Sequence, residues 1–134
     1  MISGKETKFY LGVDWGEKRI GLAMADSEIR LATPFKTVDS LDELLEVIRE
    51  EEIDLVVLGQ PIKMSGERED LDPLFLDFLE EFKNKLKDVK IELVDERLTS
   101  RQADKLPGDK KNKASRDEIS AALILQTYLD KLEN

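Results

Sequence analysis

Five acidic residues are candidates for chemistry because each falls where an element of secondary structure should begin or end. Asp14 closes an apolar run, Asp95 and Glu96 close a second, and Asp117 and Glu118 open an amphipathic run toward the C-terminus. Carboxylate oxygens are hard ligands that suit Mg²⁺ or Mn²⁺. Carboxylates converging from strand ends and a helix start could hold divalent ions for in-line phosphoryl displacement.

The residue types that are missing narrow the chemistry further. The 134 residues include no histidine and no cysteine. A Ser-His-Asp triad, a cysteine nucleophile, a histidine general base and an ordinary Cys/His zinc site are therefore all excluded. A catalytic site in this chain is expected to be a divalent metal held by carboxylates.

Each acid also has a structural explanation. Asp14 could cap a turn. Asp95 and Glu96 end a strand expected inside the sheet, where a buried carboxylate needs a partner. That partner could be Arg97, the start of the next helix, or a metal shared with Asp14.

The two acids of the C-terminal run are harder to separate from each other. A negative charge at Asp117 is favoured by the helix dipole without any catalytic role. Asp117 shares a helical face with apolar residues that should face the core, and Glu118 is nearly as well placed. The pattern favours an inward carboxylate without choosing between the two.

The N-terminal half predicts three strands, a helix and a fourth strand. The strands of an antiparallel meander are expected at Lys8–Asp14, Arg19–Ala25 and Ile29–Val38. A capping box at Ser40 predicts a helix to about Glu52. The nearly continuous apolar run over 53–59 is typical of a strand buried on both faces.

The C-terminal half predicts a strand between helices. A helical stripe runs from about Leu71 to Leu86, with Pro73 in its first turn. A strand over 91–95 follows, then a short capped helix over 99–106, a polar loop, and a last helix that a capping box at Ser115 opens and that runs to Leu132. The order predicts one α/β domain over residues 1–134, a mixed sheet covered by helices.

Charge and hydropathy bear on the partners of the chain. The net charge of -9 argues against wholesale binding to phosphates, but residues 97–116 carry seven basic residues against two acids. That window is either a solvated lysine-rich loop or a surface for nucleic acid. No apolar stretch resembles a signal peptide or a membrane span, so a cytoplasmic location without a membrane is expected.

Four segments, in this order, resemble the YqgF family of bacterial RNase H-like nucleases. They read LGVDWGEKRIGLA over 11–23, VLGQP over 57–61, VDERLT over 94–99 and DEISAA over 117–122. The resemblance implies an RNase H-like sheet of five strands with the first three antiparallel. It also implies that Asp14, Glu96 and Asp117 are the catalytic residues and bind Mg²⁺ or Mn²⁺.

The resemblance further implies a nuclease that matures the 5′ end of 16S ribosomal RNA, or a resolvase of Holliday junctions like RuvC. RNA is the favoured partner, with branched DNA and pre-ribosomal particles as further candidates. Resolvases have a carboxylate at the end of the fourth strand, where this chain has Gly59-Gln60-Pro61. That departure puts junction resolution in doubt. The predicted substrate-binding residues are Lys18, Arg97, Thr99, Arg101, Lys110, Lys111 and Lys113.

Two other classes of protein compete with a nuclease. Actin-like and sugar-kinase ATPases use a similar Asp-x-Gly hairpin around phosphates, but they close two such domains on a nucleotide and this chain supplies one. A catalytically silent RNA-binding module could use the basic window over 97–116. Oligomeric state does not follow from the sequence.

Overall fold

The structure, a computed structural model, describes residues 7–61, 72–96 and 115–132. These ranges form five strands and three helices. The elements are β1 (Phe9–Trp15), β2 (Ile20–Asp26), β3 (Thr33–Val38), α1 (Leu41–Glu50), β4 (Leu55–Gln60), α2 (Pro73–Lys85), β5 (Lys90–Asp95) and α3 (Arg116–Leu132).

The five strands form one mixed sheet in the order β3-β2-β1-β4-β5. The first three are antiparallel neighbours, whereas β4 is parallel to β1 and β5 is parallel to β4. The carboxyl ends of strands β1, β4 and β5 therefore lie together along one edge of the sheet. The predicted α/β fold, with an antiparallel meander inside a mixed sheet, is confirmed.

Helices cover both faces of this sheet. One face packs its buried residues against α1 and α2, whose core residues include Leu44, Phe75 and Phe82. The other face packs against α3 through Ile124, Leu125 and Leu129. Successive strand residues point to opposite faces, so β1 and β4, buried on both, read as nearly continuous apolar runs.

The helices begin where their capping residues predict. Ser40 accepts a hydrogen bond from the Glu43 amide at the start of α1. Asp72 accepts one from the Leu74 amide at the start of α2, with Pro73 in the first turn, where its missing N–H costs nothing.

Several predicted boundaries differ from the structure. The third strand begins at Thr33 rather than Ile29, because Asp26 accepts the amides of Glu28 and Ile29 and closes a turn there. The first helix ends at Glu50, and Glu52 has a left-handed backbone with φ of 55°.

One prediction of position is wrong: β5 was expected inside the sheet. It is the edge strand beyond β4 in the described ranges. Its burial pattern is that of an edge strand: Lys90 and Leu93 are exposed, and Val94 alone is buried. The helix predicted over 99–106 and the loop after it lie outside the described residues.

No helix within 7–61, 72–96 or 115–132 is long and apolar enough to span a membrane.

Candidate active site

Asp14 and Glu96 lie on the same face of the sheet, at the edge where the parallel strands end. Val13 is level with Leu58 in β4, and Gly59 is level with Val94 in β5. Asp14 therefore shares a row with Gly59 and Val94, and Glu96 follows Val94 by two residues on that face. This is the face that α3 covers. Alternation directs Asp95 to the opposite face.

The β4–β5 ladder holds Glu96 in this position. Its amide donates a hydrogen bond of 3.1 Å to the Gln60 carbonyl, which extends the ladder one residue beyond β5. A Cβ atom placed on Gly59 would lie 3.3 Å from Glu96 Oε1. The Glu96 carboxylate therefore lies over Gly59, where the absence of a side chain leaves room for it.

Asp117 reaches the same site from the first turn of α3. Gly21 is the β2 partner of Asp14, and the backbone of Asp117 packs directly onto it. A Cβ atom at Gly21 would lie 2.8 Å from the Asp117 Cβ and closer still to its carbonyl carbon. Only glycine permits this approach, and the approach brings Asp117 beside Asp14.

The structure separates the two acids of the α3 start, which the sequence left open. Glu118 closes a capping box with Ser115: its amide donates to Ser115 Oγ at 3.2 Å and its carboxylate accepts the Ser115 amide at 3.3 Å. The Thr37 hydroxyl of β3 also donates to Glu118, at 2.9 Å. The hydrogen bonds of Glu118 thus hold it at the helix start, and Asp117 is the acid that faces Asp14.

The electrostatics of Asp14 reflect this crowding of acids. The pKa of Asp14 is raised to about 9, mainly by burial away from water, then by a hydrogen bond with Glu96, and last by the charges of Glu96 and Asp117. The protonated Asp14 carboxyl thus donates a hydrogen bond to Glu96. Perturbed carboxylates of this kind concentrate at functional sites.

The acids fit a hard divalent cation in charge and ligand type, although they are not yet arranged around one. No three acidic side chains in the described ranges have the mutual spacing of a metal cage. Asp14 is hydrogen-bonded to Glu96, and Asp117 is ion-paired with Arg19, with 3.2 Å between Arg19 Nε and Asp117 Oδ2. A cation at this site would replace the Asp14 proton and the Arg19 contact.

The predicted substrate-binding residues fall mainly in parts of the chain that the structure leaves undescribed. Lys18 is exposed in the turn between β1 and β2, at the same edge of the sheet as Asp14. The others, Arg97, Thr99, Arg101, Lys110, Lys111 and Lys113, lie outside the described residues. Their role stays a prediction.

Sequence reasoning missed two residues of the site. Arg19 was assigned only to a strand, and Gly21 was included only as part of the segment over 11–23, not as the residue on which α3 packs. Both lie in the segment over 11–23 that carries Asp14. The spacing of Gly21 from Asp14 was a usable signal, because a glycine inside a strand often marks a close backbone approach.

Comparisons with known proteins identify the family of this chain. The family model described as "RuvX: Holliday junction resolvase" matches residues 8–131. A protein of Endomicrobium trichonymphae, provisionally named a pre-16S rRNA nuclease, is 36% identical over 132 residues, covering 90% of this chain and 94% of its own length. A protein of Sulfurihydrogenibium sp. with the same name is 39% identical over 130 residues, covering 91% and 90%.

Solved structures with a similar fold come from Holliday junction resolvases. RuvC of Thermus thermophilus, solved in complex with a Holliday junction substrate, matches with a TM-score of 0.58 at 14% identity, over 95% of this chain and 96% of that one. The fowlpox virus resolvase, in complex with Holliday junction DNA, matches with a TM-score of 0.55 at 15% identity, over 94% and 99%. The fold is therefore the RNase H-like fold of RuvC-type resolvases, and the chain belongs to the RuvX (YqgF) family.

Proposed function

We propose that this chain is a divalent-metal-dependent nuclease that hydrolyses phosphodiester bonds, with Asp14, Glu96 and Asp117 as its catalytic and metal-binding residues. One observation carries the proposal. Asp14 is hydrogen-bonded to Glu96 and lies beside Asp117 at the edge where three parallel strands end, in a chain of the RuvX family. Residues 1–134 would form a single nuclease domain.

Each acid has a distinct part in this proposal. Asp14 is central, since it lies between the other two and would lose its proton on binding a cation. Glu96 and Asp117 reach the site from a strand end and a helix start, which the sheet and Gly21 hold in place. Bound Mg²⁺ or Mn²⁺ would supply an activated water and stabilise the leaving oxygen, so no histidine base is required.

The substrate we propose is the 5′ end of the 16S ribosomal RNA precursor. Support comes from the relatives, which are named for that RNA and cover most of this chain. Its synthesis in the bacterial cytoplasm would put the enzyme there, with pre-ribosomal particles as partners. Resolution of Holliday junctions is the second candidate, supported by the family description. Gln60 at the end of β4, where resolvases have an acid, weighs against it.

Contact with the nucleic acid backbone is proposed for Lys18 and for the basic window over 97–116. In single-stranded nucleic acid, each neutralised phosphate contributes roughly -0.7 to the slope of log affinity against log salt. Replacing Lys110, Lys111 and Lys113 by alanine should flatten this slope and weaken binding about equally for different sequences. An unchanged slope would mean that these lysines are only solvated.

A cleavage assay tests the proposed function. Three substrates are compared: a 16S precursor RNA with its 5′ extension, an unstructured RNA, and an immobile four-way DNA junction, each with Mg²⁺, Mn²⁺ or EDTA. We expect metal-dependent cleavage of the precursor RNA that Asp14→Asn abolishes. Asp77→Asn, which removes an exposed acid of α2, is the matched control and should cleave normally. Cutting of the junction alone would favour the second candidate, and binding without cleavage would favour a silent module.

A further inference from the structure

Arg19 makes a direct contact with one of the three proposed metal ligands. Its Nε atom lies 3.2 Å from Oδ2 of Asp117, and the two side chains are 67% and 34% exposed. An ion pair this exposed contributes little to stability, because water screens it and two side chains must be ordered. The contact turns the Asp117 carboxylate toward Arg19 but is weak enough to be exchanged for another.

The rest of Asp117 has little freedom to move. Its backbone packs on Gly21, so a change of partner can involve only its side-chain torsions. The neighbouring Glu118 differs, because Ser115 and Thr37 both bind its carboxylate. Asp117 is therefore the acid of the α3 start whose partner can change without disturbing the helix.

Arg19 places a positive charge beside the cluster of acids. Asp14 and Glu96 share a hydrogen bond, and among the described residues the Arg19 guanidinium forms an ion pair with Asp117. A divalent ion bound by these acids would need Asp117 and would repel a guanidinium close by. Arg19 and the cation therefore compete for one carboxylate.

We propose that Arg19 exchanges partners: it holds Asp117 in the metal-free protein, and it binds a phosphate of the nucleic acid once Asp117 has turned to the cation. This inference rests on the proposed function and adds a residue that couples metal binding to substrate binding. The guanidinium suits the second role because its planar fork of donors matches phosphate oxygens. It lies at the same sheet edge as the proposed metal ligands, so a released Arg19 would be next to the phosphate being cut.

The first test measures Mn²⁺ affinity without nucleic acid, by calorimetry, for the wild type, Arg19→Gln and Arg19→Lys. Loss of a competitor worth up to about 1 kcal/mol should tighten Mn²⁺ binding by Arg19→Gln about two- to fivefold. Arg19→Lys keeps the charge and should fall between the two. Arg49→Gln is the matched control, because Arg49 is 73% exposed and pairs with Glu46 on α1 at 3.5 Å; its affinity should equal that of the wild type.

The second test measures binding of a short single-stranded RNA at several salt concentrations, with Ca²⁺ in place of a catalytic ion. Loss of one phosphate contact should flatten the salt dependence of Arg19→Gln by roughly 0.7, and only when the ion is present. Mn²⁺ affinity at or below the wild-type value, or a salt slope equal to that of Arg49→Gln, would overturn the exchange. A wild type that binds no divalent ion would instead refute the proposed function, before any variant is compared, and the exchange would fall with it.

Discussion

Replacing Asp14 by asparagine should stabilise the metal-free protein while it abolishes cleavage. In the folded chain the pKa of Asp14 is raised to about 9, from an ordinary value of 3.8. Between these two values the folded state retains a proton that the unfolded state releases, so this group lowers the free energy of unfolding as pH rises. Asparagine removes the penalty, and its amide can still donate to Glu96.

The size of the effect follows from the distance between pH 7 and the unfolded pKa. At about 1.4 kcal/mol per unit, protonating Asp14 on folding costs at most about 4 kcal/mol at pH 7 and less than half of that at pH 5. Imperfect replacement of the carboxyl hydrogen bond offsets part of the gain. We therefore expect Asp14→Asn to unfold with a free energy higher by about 1–3 kcal/mol at pH 7, and by less than about 1 kcal/mol at pH 5.

Urea unfolding at several pH values, with EDTA present, measures this gain. Asp77→Asn is the control for the loss of one negative charge, and it should change stability by less than about 0.5 kcal/mol at every pH. Added Mn²⁺ should stabilise the wild type by mass action and leave Asp14→Asn unchanged. A destabilised Asp14→Asn, or a pH dependence identical to that of the wild type, would refute the reasoning.

Two further predictions concern the other residues that build the site. Glu96→Gln should lower Mn²⁺ affinity far more than Asp95→Asn, because Asp95 points to the opposite face of the sheet; calorimetry on both variants checks this, and a larger loss for Asp95→Asn would reverse the assignment. Gly21→Ala should destabilise the protein by about 1–3 kcal/mol and lower Mn²⁺ affinity, because the new methyl group meets the Asp117 backbone rather than a flexible side chain. Wild-type stability and affinity in Gly21→Ala would show that α3 does not need this close approach.

Local sequence signals predicted the elements well where local interactions decide them. The capping boxes at Ser40 and Ser115 placed two helix starts, because each box is a set of contacts within four residues. The third strand does not begin at Ile29 as predicted. Asp26 accepts the Ile29 amide in a turn, and Gln126 of α3 accepts the Ala32 amide across the fold. A contact between residues so far apart leaves no mark in local periodicity.

The site was predictable in its residue types more than in its arrangement. Strand alternation favours Glu96 over Asp95 only once the register with β4 is known, and the sequence alone supplied that choice through a family resemblance. The Asp117–Arg19 pair joins the β1–β2 turn to α3, and its partners lie almost a hundred residues apart. Spacing along the chain cannot reveal such a pair, whereas the fold brings its members into contact.

The most direct test of the metal site is anomalous diffraction from crystals of the wild type soaked in Mn²⁺. The account predicts a peak at the sheet edge, about 2.0–2.4 Å from carboxylate oxygens of Asp14 and Glu96, with Asp117 turned toward it and away from Arg19. Asp14→Asn crystals treated in the same way should lack the peak. A metal bound elsewhere in an active enzyme, or full cleavage activity with this edge empty of metal, would contradict the account.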